Sequence, residues 1–271
     1  MTEVEVAFLV LCRNQDKVIS TLKSLILNEG YLVEQKGNIR ISDTYFDTED
    51  KILENRKIGL RVRTSEETGP KLTLKIPMKK GHHDYSERLE IEKPWSKSTL
   101  NEIMFVIKSH VNIDYNKQDY DFDNNNHYYH NNDPKSTLSI IGFEVTQQRE
   151  TCRYIINAVN KKSKQIEYEF SVDNTNYIIN KFSICNSELE IELKITTVNG
   201  KLQLINFIDK LKQNNKDMFQ VWPYSKLVTG KAIENLLTSN ELKGFRDFDK
   251  DNILTHSGIK KILQSIKLMD I

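Results

Sequence analysis

The sequence lacks the devices that mark several protein classes. Its 271 residues include only three cysteines, Cys12, Cys152 and Cys185. They are scattered and show no metal-ligand spacing. That argues against a disulfide framework and suits a reducing compartment. A charge excess of either sign is also missing: 39 Lys and Arg stand against 38 Asp and Glu, a formal net charge of +1. A general nucleic-acid binder would carry a large basic surplus, so that class is set aside, although a local basic tunnel is compatible with the balance. No apolar run is long enough for a transmembrane helix. The opening Met-Thr-Glu-Val-Glu has no basic segment leading into an apolar one. No signal peptide is therefore expected, and the expected location is cytoplasmic. Apolar residues are slightly scarce at 38%, still within the soluble range. The length admits one large domain or two small ones.

What the chain does have is alternation. In Glu188-Leu189-Glu190-Ile191-Glu192-Leu193-Lys194, charged and large apolar residues take turns. Successive side chains of a strand point to opposite faces, so one face is apolar and the other acidic. Glu3-Val4-Glu5-Val6-Ala7-Phe8 repeats the pattern at the start. Each alone reads as the solvated face of an antiparallel sheet. Together they offer a carboxylate surface suited to a hard divalent cation. Basic strands keep them company. Arg61 and Arg63 alternate with Leu60 and Val62; Lys71, Thr73 and Lys75 alternate with Leu72, Leu74 and Ile76. Arg88, Glu90 and Glu92 share one parity, as do Arg149, Thr151 and Arg153. Closed into a barrel, such strands would line an interior with both signs of charge, leaving their apolar outsides to helices.

The periodicity predicts a first helix capped by Asn14 or Asp16, carrying Val18, Ile19, Leu22, Leu25 and Ile26 and stopped at Gly30. Strands are expected at about 39–46, 58–64, 71–76, 86–92, 138–146, 148–157, 166–173 and 187–196. Helices are expected at 101–111, around 202–211, after Lys226, and from Ile259 to Leu268 after Ser257. The stretch near 112–135, rich in Asn, Asp, Tyr and His, reads as a low-complexity insertion. His127, His130, Asp121 and Asp123 within it read as loop rather than metal site. His82 and His83 follow the turn signal Lys79-Lys80-Gly81 and read as surface groups. Asp247-Phe248-Asp249-Lys250-Asp251 imitates a calcium loop, but Asn252 replaces the needed glycine and Gly258 the closing glutamate. It reads as a charged turn between helices.

In order, these motifs resemble the CYTH domain of the triphosphate tunnel metalloenzymes. That family includes thiamine triphosphatases, inorganic triphosphatases and class IV adenylyl cyclases. The motifs are Glu3-Val4-Glu5, Asp43-Thr44-Tyr45-Phe46-Asp47-Thr48, Arg61-Val62-Arg63, Leu72-Thr73-Leu74-Lys75, Arg88-Leu89-Glu90-Ile91-Glu92, Arg149, Asp173, the Glu188-to-Glu192 strand and Ser225-Lys226. The resemblance implies an α+β fold: an eight-stranded antiparallel closed barrel with flanking helices. It places the tunnel domain at 1–240 and a helical extension, packed on the same domain, at 241–271. It implies hydrolysis of a triphosphate with Mg²⁺ or Mn²⁺. Glu3, Glu5, Asp173, Glu190 and Glu192 would hold metal, with Glu188, Glu90 and Glu92 as additions. Arg61, Arg63, Lys75, Arg149, Arg153 and Lys226 would bind substrate, and Glu3, Glu5, Lys75 and Lys226 would serve catalysis.

Bland readings stand beside these. Arg88, Glu90 and Glu92 also read as interior salt bridges. Arg153 also reads as a rim residue, Lys71 and Lys194 as solvated strand ends, and Asp43 and Asp47 as turn caps. One departure matters: the family's opening E-x-E-x-K has Ala7 in place of lysine. The expected partner is a small-molecule triphosphate. The alternatives are a cyclase, an RNA 5′-triphosphatase acting on an RNA end, and a polyphosphate- or nucleotide-binding module without turnover.

Overall fold

The computed structural model describes residues 2–78, 85–111 and 133–269. The expectations placed on 112–132 and on His82 and His83 lie outside them. Nine strands and eight helices follow one another along these segments. They are β1 (Thr2–Val10), α1 (Gln15–Asn28), β2 (Leu32–Thr48), α2 (Ile52–Asn55), β3 (Gly59–Ser65), β4 (Lys71–Pro77) and β5 (Ser86–Pro94). Then come α3 (Lys97–Val111), α4 (Pro134–Ile140), β6 (Phe143–Val159), β7 (Ile166–Ile179), β8 (Phe182–Leu193) and α5 (Val198–Asn214). The last are β9 (Phe219–Val221), α6 (Lys226–Thr238), α7 (Gly244–Asp247) and α8 (His256–Leu268).

The strands run in the order β5-β4-β3-β2-β6-β7-β8-β1, and β5 pairs back onto β1. That closes an eight-stranded barrel, every pair antiparallel. Closure leaves no open edge along the ring. β9, which the sequence did not announce, pairs with β1 at Phe8–Val10, beyond the stretch Thr2–Glu5 that pairs with β5.

Alternation sorts the side chains as expected. Val4, Val6, Phe8, Leu189 and Ile191 face outward and pack beneath Val18, Leu22 and Ile26 of α1 and Leu204, Phe207 and Leu211 of α5. Leu60, Val62, Leu72 and Leu74 do the same beneath Leu100, Ile103, Met104 and Ile107 of α3. Each large apolar side chain fully buried this way contributes about 1.5–3 kcal/mol before chain entropy is counted. A third cluster joins Leu9, Tyr177, Ile179 and Ile184 to Trp222, to Ile233 of α6 and to Ile259, Ile262 and Ile266 of α8. Leu9, Tyr177 and Ile179 have the inward parity, so this end of the barrel interior is filled with apolar side chains.

Two local expectations need correction. The strands expected at 138–146 and 148–157 are a helix followed by one long strand. Asp133 caps α4 by accepting from Lys135 N and Ser136 N, with Pro134 in the first turn, a position where its missing N–H costs nothing. Gly142, at φ +92°, turns the chain out of that helix. β6 then runs 17 residues, absorbing a bulge opposite Tyr45 and Phe46. The last helix begins at His256, and its cap is Thr255, which accepts from Gly258 N; Ser257 instead donates to Asp247. Asn14 does cap α1, accepting from Lys17 N. The Asp247–Asp251 run starts at the last residue of α7 and turns toward α8, with Asp249 accepting from Asp251 N and Ile253 N. All three cysteines are free. Among the described residues, no helix is long and apolar enough to cross a membrane.

Candidate active site

The inward parity of the strands lines a cavity of about 330 Å³ inside the barrel. Nine carboxylates and nine cations face it, so the lining has almost no net charge. The signs are nevertheless segregated. Adjacent strands β3, β2 and β6 form a basic arc. Strands β7, β8, β1 and β5 form an acidic arc, and β4 joins the two.

The basic arc is organised around one buried acid. Asp43 on β2 is 2% exposed. Its carboxylate accepts two hydrogen bonds from Arg63, at 2.8 and 2.9 Å, and two from Arg149, at 3.2 and 3.1 Å. Arg61 lies 3.6 Å away. Burial pushes the Asp43 carboxyl up, but the three guanidinium groups outweigh it and hold it well below the usual aspartate value. Tyr45 accepts from Arg149 Nη2 at 2.6 Å, and the Arg149 guanidinium also sits 4.7 Å from the phenol ring centre. Burial would raise that phenol's pKa; Arg149 and Arg61 lower it instead. Among the described residues, Arg61 Nε and Arg149 Nη1 are buried without a hydrogen-bond partner. A buried charged donor left unmade is costly, so both positions suit an anionic oxygen.

The acidic arc is in register across strands. Glu5 sits opposite Glu192 on β8, and Glu192 opposite Glu169 on β7. Like charges directly opposite one another destabilise a sheet unless a cation lies between them. Burial, helped by Glu3 and Glu169, pushes Glu192 up to about 7 against the pull of Lys194. Burial also raises Glu5, with Glu3 and Glu190 adding to it against Arg88. Protein cations meet part of this demand. Lys75 reaches Glu3 at 2.7 Å and Glu90 at 3.3 Å. Arg88 pairs with Glu3 at 3.1 Å and with Glu5. Arg153 grips Asp173 at 2.6–2.7 Å and Glu190 at 2.7 Å. Lys226, 7% exposed at the first position of α6, contacts Glu190, Asp173 at 3.1 Å and Glu188 at 3.5 Å.

The residues proposed from sequence thus fall in one place. Glu3, Glu5, Arg61, Arg63, Lys75, Arg149, Arg153, Asp173, Glu190, Glu192 and Lys226 all line the cavity. Two bland readings are overturned: Arg153 is no rim residue and Asp43 is no turn cap. Lys194 is solvent-exposed just past the end of β8, as its bland reading has it, and its ammonium also pairs with Glu192 at the cavity. Lys71 pairs with Glu92 at 3.2 Å. Asp47 is a cap, accepting from the N–H groups of Thr48, Leu53 and Glu54. Glu90 and Glu92 do make interior salt bridges, and they line the cavity as well. Glu188 is fully buried beside Tyr177 and Asn186 and is not part of the cavity lining. Tyr45 and Glu169 were missed. Parity with Asp43 was the available signal for Tyr45, and parity with Asp173 for Glu169. Ala7 faces the cavity and stands opposite Glu190.

Oxygen-only donors of this kind suit Mg²⁺ or Mn²⁺, and the row of like charges, Glu5, Glu192 and Glu169, calls for a cation. The donor set therefore fits a divalent metal in its chemistry. Among the described residues, no three Asp, Glu, His or Cys side chains yet converge on a single point; the acids turn toward protein cations instead.

Several solved structures are similar to this chain. A Hippeastrum protein described as a candidate adenylyl cyclase with a dominant triphosphatase activity is similar at 12% identity and TM-score 0.50, covering 89% of this chain and 97% of that one. A candidate adenylate cyclase from Vibrio parahaemolyticus gives 14% identity and TM-score 0.47, covering 84% and 96%. The Mimivirus capping enzyme triphosphatase gives 13% and 0.38, covering 78% and 90%. No curated protein matches the sequence. The model of the CYTH domain family matches residues 1–213, and with the barrel and its charged interior this chain belongs to that family.

Proposed function

We propose that the chain is a divalent-metal-dependent triphosphatase that hydrolyses inorganic tripolyphosphate, thiamine triphosphate or a nucleoside triphosphate inside the barrel. The observation that carries this reading is the pairing of the two arcs. One arc holds two buried guanidinium N–H groups without partners; facing it is an acidic row in register. A triphosphate brings about four negative charges near neutral pH. A lining with nine charges of each sign cannot neutralise it alone, and added divalent cations can.

Each residue has a part. Arg61, Arg63 and Arg149 hold non-bridging phosphate oxygens, with Asp43 keeping their planar forks oriented. Lys75, Arg153 and Lys226 neutralise the acidic arc and lend donors to the end of the phosphate chain that lies against it. Glu3, Glu5, Asp173, Glu190 and Glu192 would hold Mg²⁺ or Mn²⁺. When bound, that metal supplies Lewis-acid polarisation of a phosphoryl oxygen and charge neutralisation. Glu3 and Glu5 orient the attacking water, and Lys75 and Lys226 stabilise charge on the transferred and leaving phosphates. A second reading, binding without turnover, draws on Ala7, which puts a methyl in the cavity where the motif calls for an ammonium.

The test is product analysis on a panel of tripolyphosphate, thiamine triphosphate and ATP with Mg²⁺ or Mn²⁺. Orthophosphate with the matching diphosphate or pyrophosphate supports hydrolysis. Cyclic AMP with pyrophosphate from ATP would identify a cyclase, and binding without products would favour the module.

A further inference from the structure

Helix α6 delivers Lys226 to the acidic arc, and it meets the barrel at one unusually close point. Leu227 lies next to Lys226 in the chain, and its carbonyl accepts from Gln147 Nε2 of β6 at 3.1 Å. Gln147 is 8% exposed. One turn along the same helix is Gly230, one of the buried residues of α6. A methyl group on Gly230 would lie 2.2 Å from Gln147 Nε2, 2.6 Å from its Cδ and 2.8 Å from its Oε1. Glycine inside a helix costs about 1 kcal/mol relative to alanine, so its presence mid-helix has to be explained by what it admits. Here it admits the Gln147 amide. The other side of the helix start also rests on the barrel. A Cβ built on Gly59 of β3 would be 3.8 Å from Leu227 Cδ2. The start of α6 therefore bears on β3 through Leu227, on β6 through Gln147, and on β7 and β8 through Lys226.

We propose that Gln147 and Gly230 form a positioning pair that sets how deeply α6 enters the barrel, and so where the Lys226 ammonium stands among Glu190, Asp173 and Glu188. Gln147 has the inward parity of Arg149 but is not among the residues that line the cavity; it acts through the helix. The effect of the pair on turnover rests on the triphosphatase reading, whereas its effect on Lys226 does not. A methyl at position 230 leaves two ways out. Either the helix rises, or the amide swings aside and releases the Leu227 carbonyl. Both loosen Lys226.

The experiment compares Gly230→Ala, Gln147→Leu and the Gly230→Ala/Gln147→Ala double variant in the full chain. An amine-reactive reagent labels each, and mass spectrometry follows the labelling rate at Lys226 against Lys75, a lysine of the same cavity carried on a strand. The Lys226 rate should rise about tenfold in Gly230→Ala, the factor that corresponds to one lost hydrogen bond, while Lys75 stays unchanged. Removing the amide makes room for the methyl, so the double variant should label more slowly at Lys226 than Gly230→Ala does. Gln147→Leu keeps the bulk and removes the donor, so it should also raise Lys226 labelling even if the glycine variant fails to fold. A wild-type Lys226 rate in Gly230→Ala or Gln147→Leu, or an equal rise at Lys75, would overturn the proposal. If the wild type hydrolyses tripolyphosphate, Gly230→Ala should raise KM and the double variant should recover part of the loss. A wild type without turnover would refute the functional reading and leave the labelling result to decide this one.

Discussion

Replacing Asp43 with asparagine tests the organisation of the basic arc. The change keeps the side-chain volume and removes the one carboxylate shared by Arg61, Arg63 and Arg149. Its acceptors serve four hydrogen bonds at 2.8–3.2 Å, and the residue is 2% exposed. Breaking a buried ion pair by removing one partner costs about 3–5 kcal/mol. At about 2–4 °C per kcal/mol for a chain of this size, Asp43→Asn should lower Tm by roughly 6–20 °C. The loss should depend on pH. The folded-state pKa of Asp43 lies well below the ordinary 3.8, so its contribution is fully present above that value and fades as pH falls toward the folded value. Thermal scans should therefore show a constant gap between wild type and variant from neutral pH down to about 4, closing in stronger acid. Tripolyphosphate should raise the variant's Tm more than the wild type's, because its oxygens take the place of the lost carboxylate beside three guanidinium groups. A Tm loss below about 2 °C, less than one kcal/mol on the same scale, would show that Asp43 does not organise the arc.

Three further outcomes follow from the same geometry. Arg61→Ala and Arg63→Ala should each weaken tripolyphosphate binding by about 1.5–3 kcal/mol in calorimetry, the worth of a charged hydrogen bond; unchanged affinity in both would place them outside the site. Asp247, buried and accepting from Lys261 at 2.6 Å, Lys243 N at 2.8 Å and Ser257 at 2.8 Å, is brought down to about 2 by these partners against the effect of burial. Its stabilising contribution should vanish between about pH 4 and pH 2, so Asp247→Asn should lower Tm at pH 7 and much less at pH 2; an equal loss at both would refute the assignment. Ala7→Lys should fold with a near-normal Tm, because the new ammonium faces the cavity opposite Glu190, and should tighten tripolyphosphate binding; a stable variant with unchanged binding would mean that position 7 does not touch phosphate.

Much of this was legible because the barrel is built on a period of two. Glu3 and Glu5, Arg61 and Arg63, Glu190 and Glu192 announce their face by alternation alone, and that face is the cavity. Local chemistry also told the truth where it was self-contained, as at the Asn14 cap. It misled where one segment offers two continuations. Residues 138–146 are apolar enough for a strand, but the Asp133 side chain and Pro134 start a helix, and Gly142 ends it. Asp43 and Asp47 look alike in sequence. One is held by arginines from β3 and β6, the other by the backbone of α2, and only the tertiary pairing separates them. The meeting of Gln147 with Gly230 spans 83 positions and left no periodic signal in either segment.

Release of phosphate from tripolyphosphate by the purified chain, followed while Mg²⁺ or Mn²⁺ is added and then withdrawn with excess chelator, tests the central claim most directly. The two-arc arrangement predicts release that rises with the metal, falls to background in chelator and returns when metal is restored. Undiminished release in excess chelator would contradict it, because the carboxylates of the acidic arc would then repel the substrate they are held to bind.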